Sequence, residues 1–216
     1  FTIATGWTGV VGANGSGKTT LLKLITGLLK PVAGAVNPGL TAYYGAQRTD
    51  EPPSLLDNLM HPTDKSAILL KSQLKVQDDW PQRWHTLSHG ERKRAQIAVA
   101  LWCDPDVLAL DEPTNHLDTE ARDMILQALL SFQGIGLLVS HDRALLDSLC
   151  SNCLFIDNTG ATLRPGNYSE GATHAEMERE TAEREHLKKK RQYQKLYREA
   201  NRRRQEAQKS DKRRSK

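Results

Sequence analysis

The stretch Gly12-Ala13-Asn14-Gly15-Ser16-Gly17-Lys18-Thr19 decides the fold of this chain. It follows the pattern G-x-x-x-x-G-K-[ST], in which glycines let successive backbone N–H groups point at phosphate oxygens. Residues 7–11 before it are typical of a short strand, and the residues after it repeat apolar side chains at helical spacing. We therefore expect a phosphate-binding loop that connects a strand to the N-terminus of a helix, where anions are stabilised.

The helix after this loop is expected to end between Gly27 and Pro31, because glycine and proline stop helices. Within the loop, the Lys18 ammonium is expected to reach the β- and γ-phosphates of a nucleotide, and the Thr19 hydroxyl to bind Mg²⁺. The residues expected to face a core are Leu21, Leu22, Leu24, Ile25 and Leu28. The expected nucleotide-binding residues are Gly12, Asn14, Gly15, Ser16, Gly17, Lys18, Thr19 and Thr20.

Two adjacent acids, Asp111 and Glu112, follow the apolar run Leu108-Ala109-Leu110. Such a run is typical of a strand that is buried in a parallel sheet. Neighbouring carboxylates repel each other and are costly to hold together without a cation, which favours a metal site over a simple strand cap. At a strand end adjacent to the phosphate loop, Asp111 is expected to hold Mg²⁺, and Glu112 to polarise the attacking water.

Strand and helix patterns alternate along residues 1–170, which predicts an α/β domain with a mostly parallel sheet. Between about residues 48 and 102, prolines interrupt a mainly helical pattern, which predicts a small helical subdomain. A hairpin is expected to join residues 154–156 to residues 161–163 across a turn at 157–160. The predicted helices cover residues 55–60, 65–76, 90–102, 120–131 and 142–149, and the predicted strands include 107–110 and 136–139.

The 216 residues carry a formal net charge of +4, but the charge is unevenly divided. Residues 171–216 hold 16 Lys and Arg against 8 Asp and Glu, a net +8, whereas residues 1–170 hold 14 against 18, a net −4. No stretch has the length and composition of a membrane span or a signal peptide, so an intracellular protein is expected. Because the chain begins with Phe1 rather than Met, part of the native N-terminus is expected to precede it.

Residues 171–216 are predicted to form a basic helical extension, with acids early and bases late, an order that complements the helix dipole. Its apolar residues are too sparse for the seam of a stable coiled coil. Tyr193 and Tyr197 stand among the bases. Since Lys and Arg neutralise phosphates and aromatic rings stack on exposed bases, an RNA partner is favoured over a merely solvated charged face.

The three cysteines, Cys103, Cys150 and Cys153, cannot form a disulfide framework, and their odd number fits a reducing compartment. Cys150 and Cys153 make a C-x-x-C pair, which raises the possibility of a redox or metal site. The pair lies within apolar sequence and has no second ligand pair. Buried core thiols are therefore favoured.

The order of five motifs resembles that of an ATP-binding cassette ATPase, a P-loop NTPase, over about residues 3–165. Besides the phosphate loop, these motifs are Gln47, Leu87–Glu91, Asp111–Asp118 and Ser140–Arg143. Glu-Pro-Thr-Asn-His-Leu-Asp at 112–118 is typical of the ABC-F group, cytosolic ATPases that act on the ribosome. Pro165-Gly166-Asn167-Tyr168-Ser169 resembles the start of the linker between their two cassettes.

The resemblance implies roles for residues at matching positions. In the cassette itself, Glu112 would be the general base, His141 would contact the γ-phosphate, and Gln47 would contact Mg²⁺ and the lytic water. The implied metal-binding residues are thus Thr19, Gln47 and Asp111. At the interface with a partner cassette, the implied nucleotide-binding residues are Ser88, Gly90 and Glu91, which open a helix facing the γ-phosphate, and Asp118, which bridges the two cassettes.

Three features depart from the family pattern. His89 replaces the usual first glycine of the signature Leu-Ser-Gly-Gly, and its ring would either restrict or supplement the approach to phosphate. The residue that stacks on adenine stays unassigned, because it precedes the first strand in the family. Only 39 residues lie between Gln47 and Leu87, so no long protruding arm is expected there.

The resemblance implies an ATP-hydrolysing cytoplasmic protein with ATP and Mg²⁺ as cofactors, which acts on the ribosome in translation regulation or in protection against antibiotics. The implied partners are a second cassette, in the same native chain or in a homodimer, and rRNA or tRNA, bound through the basic helix. The main alternative is the nucleotide-binding subunit of a membrane transporter, which the basic extension disfavours. The third alternative is a nucleotide-gated interaction module without ATPase activity. His89 in the signature is the feature that leaves this alternative open.

Overall fold

A computed structural model describes residues 2–37, 39–61, 64–157 and 160–214. The chain forms two compact units, Phe1–Gly171 and Ala172–Lys216. The first contains the sheet and six helices among its described residues, and the second is helical.

The first unit has six strands: β1 Gly6–Gly12, β2 Ala42–Gly45, β3 Val107–Asp111, β4 Ile135–Val139, β5 Asn152–Asp157 and β6 Gly160–Pro165. They form one sheet with the order β2-β3-β4-β1-β5-β6. All neighbours pair in parallel except β5 and β6, which form the predicted antiparallel hairpin. The predicted mostly parallel α/β fold is therefore confirmed. Of the predicted hairpin turn, Asn158 and Thr159 lie outside the described residues.

Helix α1, Lys18–Ile25, begins within the phosphate loop, as predicted. It ends slightly earlier than predicted, at Ile25, and Gly27 follows in the left-handed conformation (φ 75°). Leu22 is fully buried, but Leu28 is 60% exposed. The prediction that Leu28 faces the core is therefore wrong, because the helical spacing on which it rested does not continue beyond Ile25.

The predicted helical region between the strands is confirmed. It consists of α2 Leu56–Met60, α3 Lys65–Gln73, a single 3₁₀ turn at Trp84–Thr86, and α4 His89–Trp102. No strand occurs among the described residues from 46 to 106. Trp80 and Trp84 are almost completely buried here. The Trp84 indole N–H lies between the carbonyls of Thr49 and Asp50, at 3.2 and 3.1 Å, and so ties the segment after β2 to this region.

Helices α5, Thr119–Leu129, and α6, Arg143–Leu149, follow β3 and β4, close to their predicted positions. Asp118 and Asp142 cap them by accepting hydrogen bonds from the N–H groups of Ala121 and Leu145. Cys150, which follows α6, and Cys153 of β5 are both buried. Burial raises the pKa of the Cys153 thiol to about 11. The core role that was favoured for these two cysteines is confirmed.

The last helix, α7, runs from Tyr168 to Arg214. Its larger apolar side chains are well exposed, at 61% for Met177 and 71% for Tyr193. This agrees with the sparse apolar pattern of the sequence. The described bases Lys188–Arg191 are likewise exposed.

The pairing of β1 with β4 depends on a close approach between Trp7 and Gly136, which lie opposite each other. The Trp7 indole N–H donates to the Leu129 carbonyl at 3.0 Å, and its ring packs against Phe132. A Cβ atom at position 136 would lie 2.4 Å from the Trp7 ring. Only glycine therefore lets the ring lie flat across β4.

We predict that Gly136→Ala lowers the free energy of unfolding by about 1–3 kcal/mol, because the methyl group overpacks the Trp7 site. For a protein of this size, the melting temperature falls by about 2–4 °C for each kcal/mol. Thermal unfolding followed by circular dichroism measures the change. The matched control is Gly90→Ala, whose methyl group would meet Leu117 at an ordinary 3.5 Å. Equal melting temperatures for Gly136→Ala and the native chain would contradict this account.

Candidate nucleotide site

A cavity of about 580 Å³ lies at the carboxyl ends of the parallel strands. The phosphate loop follows β1, Gln47 follows β2, the acids end β3, and His141 follows β4, so parallel pairing brings all of them to one edge. The cavity is lined by Asn14, Gly15, Gly17, Lys18, Thr19, Thr20, Gln47, Asp111, Glu112, Asn115, Val139 and His141.

The phosphate loop has the conformation of an anion cradle. Gly15 and Gly17 adopt left-handed φ angles of 81° and 94°, which glycine reaches without strain. The Lys18 ammonium donates to the carbonyls of Gly12 and Ala13, at 2.8 and 3.0 Å, so it lies across the loop. Gly12 and Ser16 do not line the cavity. A Cβ atom at Gly12 would lie 2.5 Å from the Ile156 carbonyl and 2.6 Å from the Ser16 hydroxyl, so glycine is required there.

Asp111 connects α1, β2 and β3. Its Oδ2 accepts hydrogen bonds from the Thr19 hydroxyl at 2.6 Å and from the Tyr44 hydroxyl at 3.2 Å. Burial, and next the charge of Asp111, raise the pKa of Tyr44 to about 12, so the phenol stays protonated and remains a donor. Strand β4 separates β3 from β1, and the first turn of α1 spans this gap.

Glu112 is nine-tenths buried and adopts a left-handed backbone conformation, with φ 49°. Its Oε2 accepts the His141 backbone N–H at 3.2 Å. Its buried Oε1 lies 3.5 Å from His141 Nε2, and no described residue donates a hydrogen bond to it. Burial is the largest influence on its pKa and raises it; Asp111 adds to the rise, while the hydrogen bond from His141 and the charges of His141 and Lys18 oppose it.

A carboxylate with these properties has the features of a general base. Its raised proton affinity brings its pKa closer to neutrality, where proton transfer is most efficient. The Oε1 atom receives no hydrogen bond from the described residues, and the His141 side chain beside it is 68% exposed. The structure thus brings Glu112, His141 and Gln47 to one cavity with the phosphate loop.

Two polar residues at this site were not predicted as site residues. Tyr44 supports Asp111, and Asn115 lines the cavity. The aromatic pair Tyr43-Tyr44, which favours a strand just before Gln47, is the signal that could have revealed Tyr44. Asn115 is part of the motif at residues 112–118, and its polar side chain so close to two acids could have marked it.

The predicted interface residues do not line this cavity. Ser88 and Glu91 form a capping box at the start of α4: the Glu91 N–H donates to the Ser88 hydroxyl at 3.2 Å, and the Ser88 N–H donates to the Glu91 carboxylate at 2.8 Å. Gly90 lies between them in the first turn, and Asp118 caps α5. Within this chain, Ser88, Glu91 and Asp118 therefore stabilise the starts of two helices.

His89 of the first turn of α4 lies edge-on to His116, with ring centroids 6.3 Å apart. Partial burial lowers the pKa of His89, and the nearby charges of Lys93, His116 and Arg92 lower it further. The ring is thus neutral near pH 7 in the isolated chain and stands among positively charged side chains.

The residues at the cavity fit a nucleotide with Mg²⁺. Backbone N–H groups of the loop and Lys18 suit phosphate oxygens. The Thr19 hydroxyl and the Asp111 carboxylate, already 2.6 Å apart, are oxygen ligands of the kind that Mg²⁺ prefers. The cavity volume lies within the range of small-molecule sites, about 300–1,000 Å³.

The fold and this site define the nucleotide-binding domain of an ATP-binding cassette protein, a P-loop NTPase. The sequence profile described as "ABC transporter" matches residues 1–115. The probable ATP-binding protein YheS of Escherichia coli (strain CFT073) is 37% identical over 156 residues, which cover 65% of this chain and 24% of that protein. The ribosome protection protein VmlR of Bacillus subtilis is 31% identical over 195 residues, which cover 87% of this chain and 33% of that protein.

Among solved structures, the chain is similar to the RNase-L Inhibitor, with a TM-score of 0.67 and 26% identity over 80% of this chain and 37% of that one. The chain belongs to the ABC-F family of ATP-binding cassette proteins. It corresponds to one cassette and spans only about a quarter to a third of the length of the curated relatives above.

In the part of the chain that the structure describes, no helix combines the length and apolar composition needed to cross a membrane.

The raised pKa of Glu112 predicts a pH-dependent effect of Glu112→Gln on stability. Because the folded-state pKa lies above the ordinary value, the protonated carboxyl stabilises the fold in acid, and this contribution is lost as the pH rises through the raised pKa. Glutamine mimics the protonated form at every pH. We expect the variant and the native chain to melt at the same temperature in acid, and the variant to melt at a higher temperature towards neutral pH.

Thermal unfolding of nucleotide-free protein across this pH range measures the difference between the two melting temperatures. A difference that stays constant with pH would show that burial of the Glu112 charge does not affect folding.

Proposed function

We propose that this chain is an ATP-hydrolysing cassette that acts on the ribosome. The observation that carries the proposal is Glu112: a buried carboxylate with a raised pKa, one of whose oxygens receives no hydrogen bond from the described residues, lines the phosphate-loop cavity. A nucleotide-binding module without hydrolysis would not need a base in this position. ABC-F membership supports the same reaction.

In the proposed reaction, the loop N–H groups and Lys18 bind the phosphates, while Thr19, Asp111 and Gln47 hold Mg²⁺. When bound, Mg²⁺ neutralises negative charge on the β- and γ-phosphate oxygens. Glu112 Oε1 accepts a proton from the attacking water. His141 binds the γ-phosphate through its exposed ring, while its backbone N–H fixes Glu112 from the other side.

We further propose that residues 1–170 are the cassette, with residues 48–102 as its helical subdomain, and that residues 171–216 are a linker. A second cassette, from the same native chain or from a homodimer, would place its signature helix against the γ-phosphate. Ser88, Gly90 and Glu91 serve the partner's nucleotide in this arrangement, and Asp118 bridges the two cassettes. ATP then stabilises the closed pair, and hydrolysis opens it.

The basic helix supports the ribosome as the target. Lys188–Arg191 form an exposed run of four bases, followed by Tyr193 and Tyr197, which are 71% and 61% exposed. Such a surface suits the phosphates and exposed bases of rRNA or tRNA. VmlR, which matches 87% of this chain, is named a ribosome protection protein. A cytoplasmic role in translation regulation or ribosome protection against antibiotics agrees with both.

The base assignment predicts that Glu112→Gln lowers kcat for ATP hydrolysis by at least about 100-fold, because a positioned general base contributes about 10²–10⁴-fold. ATP binding is expected to stay within a few-fold of the native value, since the loop is untouched. Phosphate release and equilibrium nucleotide binding measure the two effects. Glu120→Gln is the matched control: Glu120 is 71% exposed and paired with Lys75 away from the cavity. Undiminished hydrolysis by Glu112→Gln would remove Glu112 as the base.

The role of the helix predicts that replacing Lys188, Lys189, Lys190 and Arg191 by glutamine weakens ribosome binding. If these bases contact single-stranded phosphates, the slope of log affinity against log salt should fall by up to about 3, since each contact contributes about 0.7. Co-sedimentation with ribosomes at increasing salt measures the slope. The control replaces four acids of the same helix, Glu176, Glu178, Glu180 and Glu185, by glutamine and should not weaken binding. An unchanged slope in the first variant would contradict the proposal; co-purification with an integral membrane protein would favour the transporter alternative.

A further inference from the structure

Lys93, in the second turn of α4, is fully buried, which is exceptional for a lysine. Its ammonium donates to the Ala46 carbonyl at 2.6 Å and to the Gln96 side-chain oxygen at 3.0 Å. Among the described residues, no carboxylate lies within ion-pair distance of it. Burial lowers the pKa of Lys93 to about 8, although the charges of Asp111 and Glu112 act in the opposite direction.

A buried ammonium that lacks an ion-pair partner is costly, because its loss of hydration is only partly offset by two neutral acceptors. An apolar side chain of similar length would fill the same space without this cost. What only the ammonium supplies is a strong, charge-assisted hydrogen bond to the Ala46 carbonyl.

The position of this bond gives it a functional meaning. Ala46 directly precedes Gln47, and Lys93 lies two residues after Glu91 on the helix that the signature residues open. On the other side of Gln47, the Trp84 indole N–H holds the carbonyls of Thr49 and Asp50. Hydrogen bonds from the helical region therefore hold the backbone on both sides of Gln47, and we call each of these contacts an anchor. Lys93 supplies the anchor that lies on α4 itself.

We propose that Lys93 is a positioning residue that holds Gln47 at the nucleotide through the Ala46 carbonyl and thereby couples the placement of Gln47 to the signature helix α4. This proposal rests on the proposed function, because it gives Gln47 a role in hydrolysis. The link between Lys93 and Ala46 is made whether or not the chain hydrolyses ATP, so the two can be tested separately.

The test compares Lys93→Met, which keeps the length and removes the donors, with Lys93→Arg, which keeps the charge and the donors. Lys71→Met is the control, because Lys71 of α3 also donates to a backbone carbonyl, that of Met60, besides its ion pair with Asp78, and none of these residues lines the cavity. Amide hydrogen exchange of residues 46–49 reports the anchor directly, in protein without nucleotide. ATP turnover, separated into kcat and KM, reports its effect on the reaction.

We expect Lys93→Met to speed amide exchange at residues 46–49 by about tenfold, the effect of losing one hydrogen bond to a charged group. We expect kcat to fall by about tenfold and KM to stay within about twofold, because the phosphate loop binds ATP without Gln47. Lys93→Arg should restore most of both effects, and Lys71→Met should produce neither.

Unchanged exchange at residues 46–49 in a folded Lys93→Met variant would overturn the proposal. Equal losses in kcat and in nucleotide affinity, without recovery in Lys93→Arg, would do the same. If Lys93→Met does not fold, Lys93→Gln replaces it: its amide ends one bond short of the ammonium, so the same loss is expected. If the native chain proves unable to hydrolyse ATP, faster exchange in the variant still supports the anchor, while the proposed function fails.

Discussion

The site depends on one constraint: parallel pairing places the carboxyl ends of β1, β2, β3 and β4 at the same edge of the sheet. Each of these strands delivers one component there, and none of the components lies near the others in sequence. The hydrogen bond between Thr19 and Asp111, at 2.6 Å, joins two of them across the intervening β4. The close packing of Trp7 on Gly136 keeps β1 and β4 in the register that this bond requires.

Charged side chains are concentrated at this edge of the sheet, and few ion pairs balance their charges. Asp111 and Glu112 are both almost fully buried, and so is Lys93, whose pKa their charges raise against the effect of burial. Asp111 receives neutral donors from Thr19 and Tyr44, and Glu112 receives a backbone N–H. Hydrogen bonds from fixed, mostly neutral groups stabilise these charges without neutralising them. A site of this kind retains a carboxylate with raised proton affinity and leaves room for a cation, which a direct salt bridge would remove.

Local sequence motifs made much of the nucleotide site predictable. The phosphate loop and the acid pair can each be recognised from a few residues at a strand end. His141 and Gln47 could be linked to them only through the order of the motifs, and the structure brings all four to one cavity. Sequence reasoning missed β2, since four residues at the sheet edge give no periodic pattern, and with it the contact of Tyr44 to Asp111. Lys93 within Gly-Glu-Arg-Lys-Arg resembles a solvated charge, and only tertiary packing buries it. The prediction that Leu28 faces the core is wrong for the opposite reason: the apolar pattern of the sequence continues after the helix has ended.

The start of α4 explains how one helix can serve both its own cassette and, as proposed, another. The capping box satisfies the N–H groups of Ser88 and Glu91 within the chain. The N–H groups of His89 and Gly90 are among those that an α-helix leaves without an intrahelical acceptor. Gly90 adds no side chain at this helix start, and His89 adds a ring whose pKa is lowered by partial burial and by the charges of Lys93, His116 and Arg92. In the proposed pair of cassettes, the departure from the family signature therefore puts an imidazole side chain where the family has a close backbone approach.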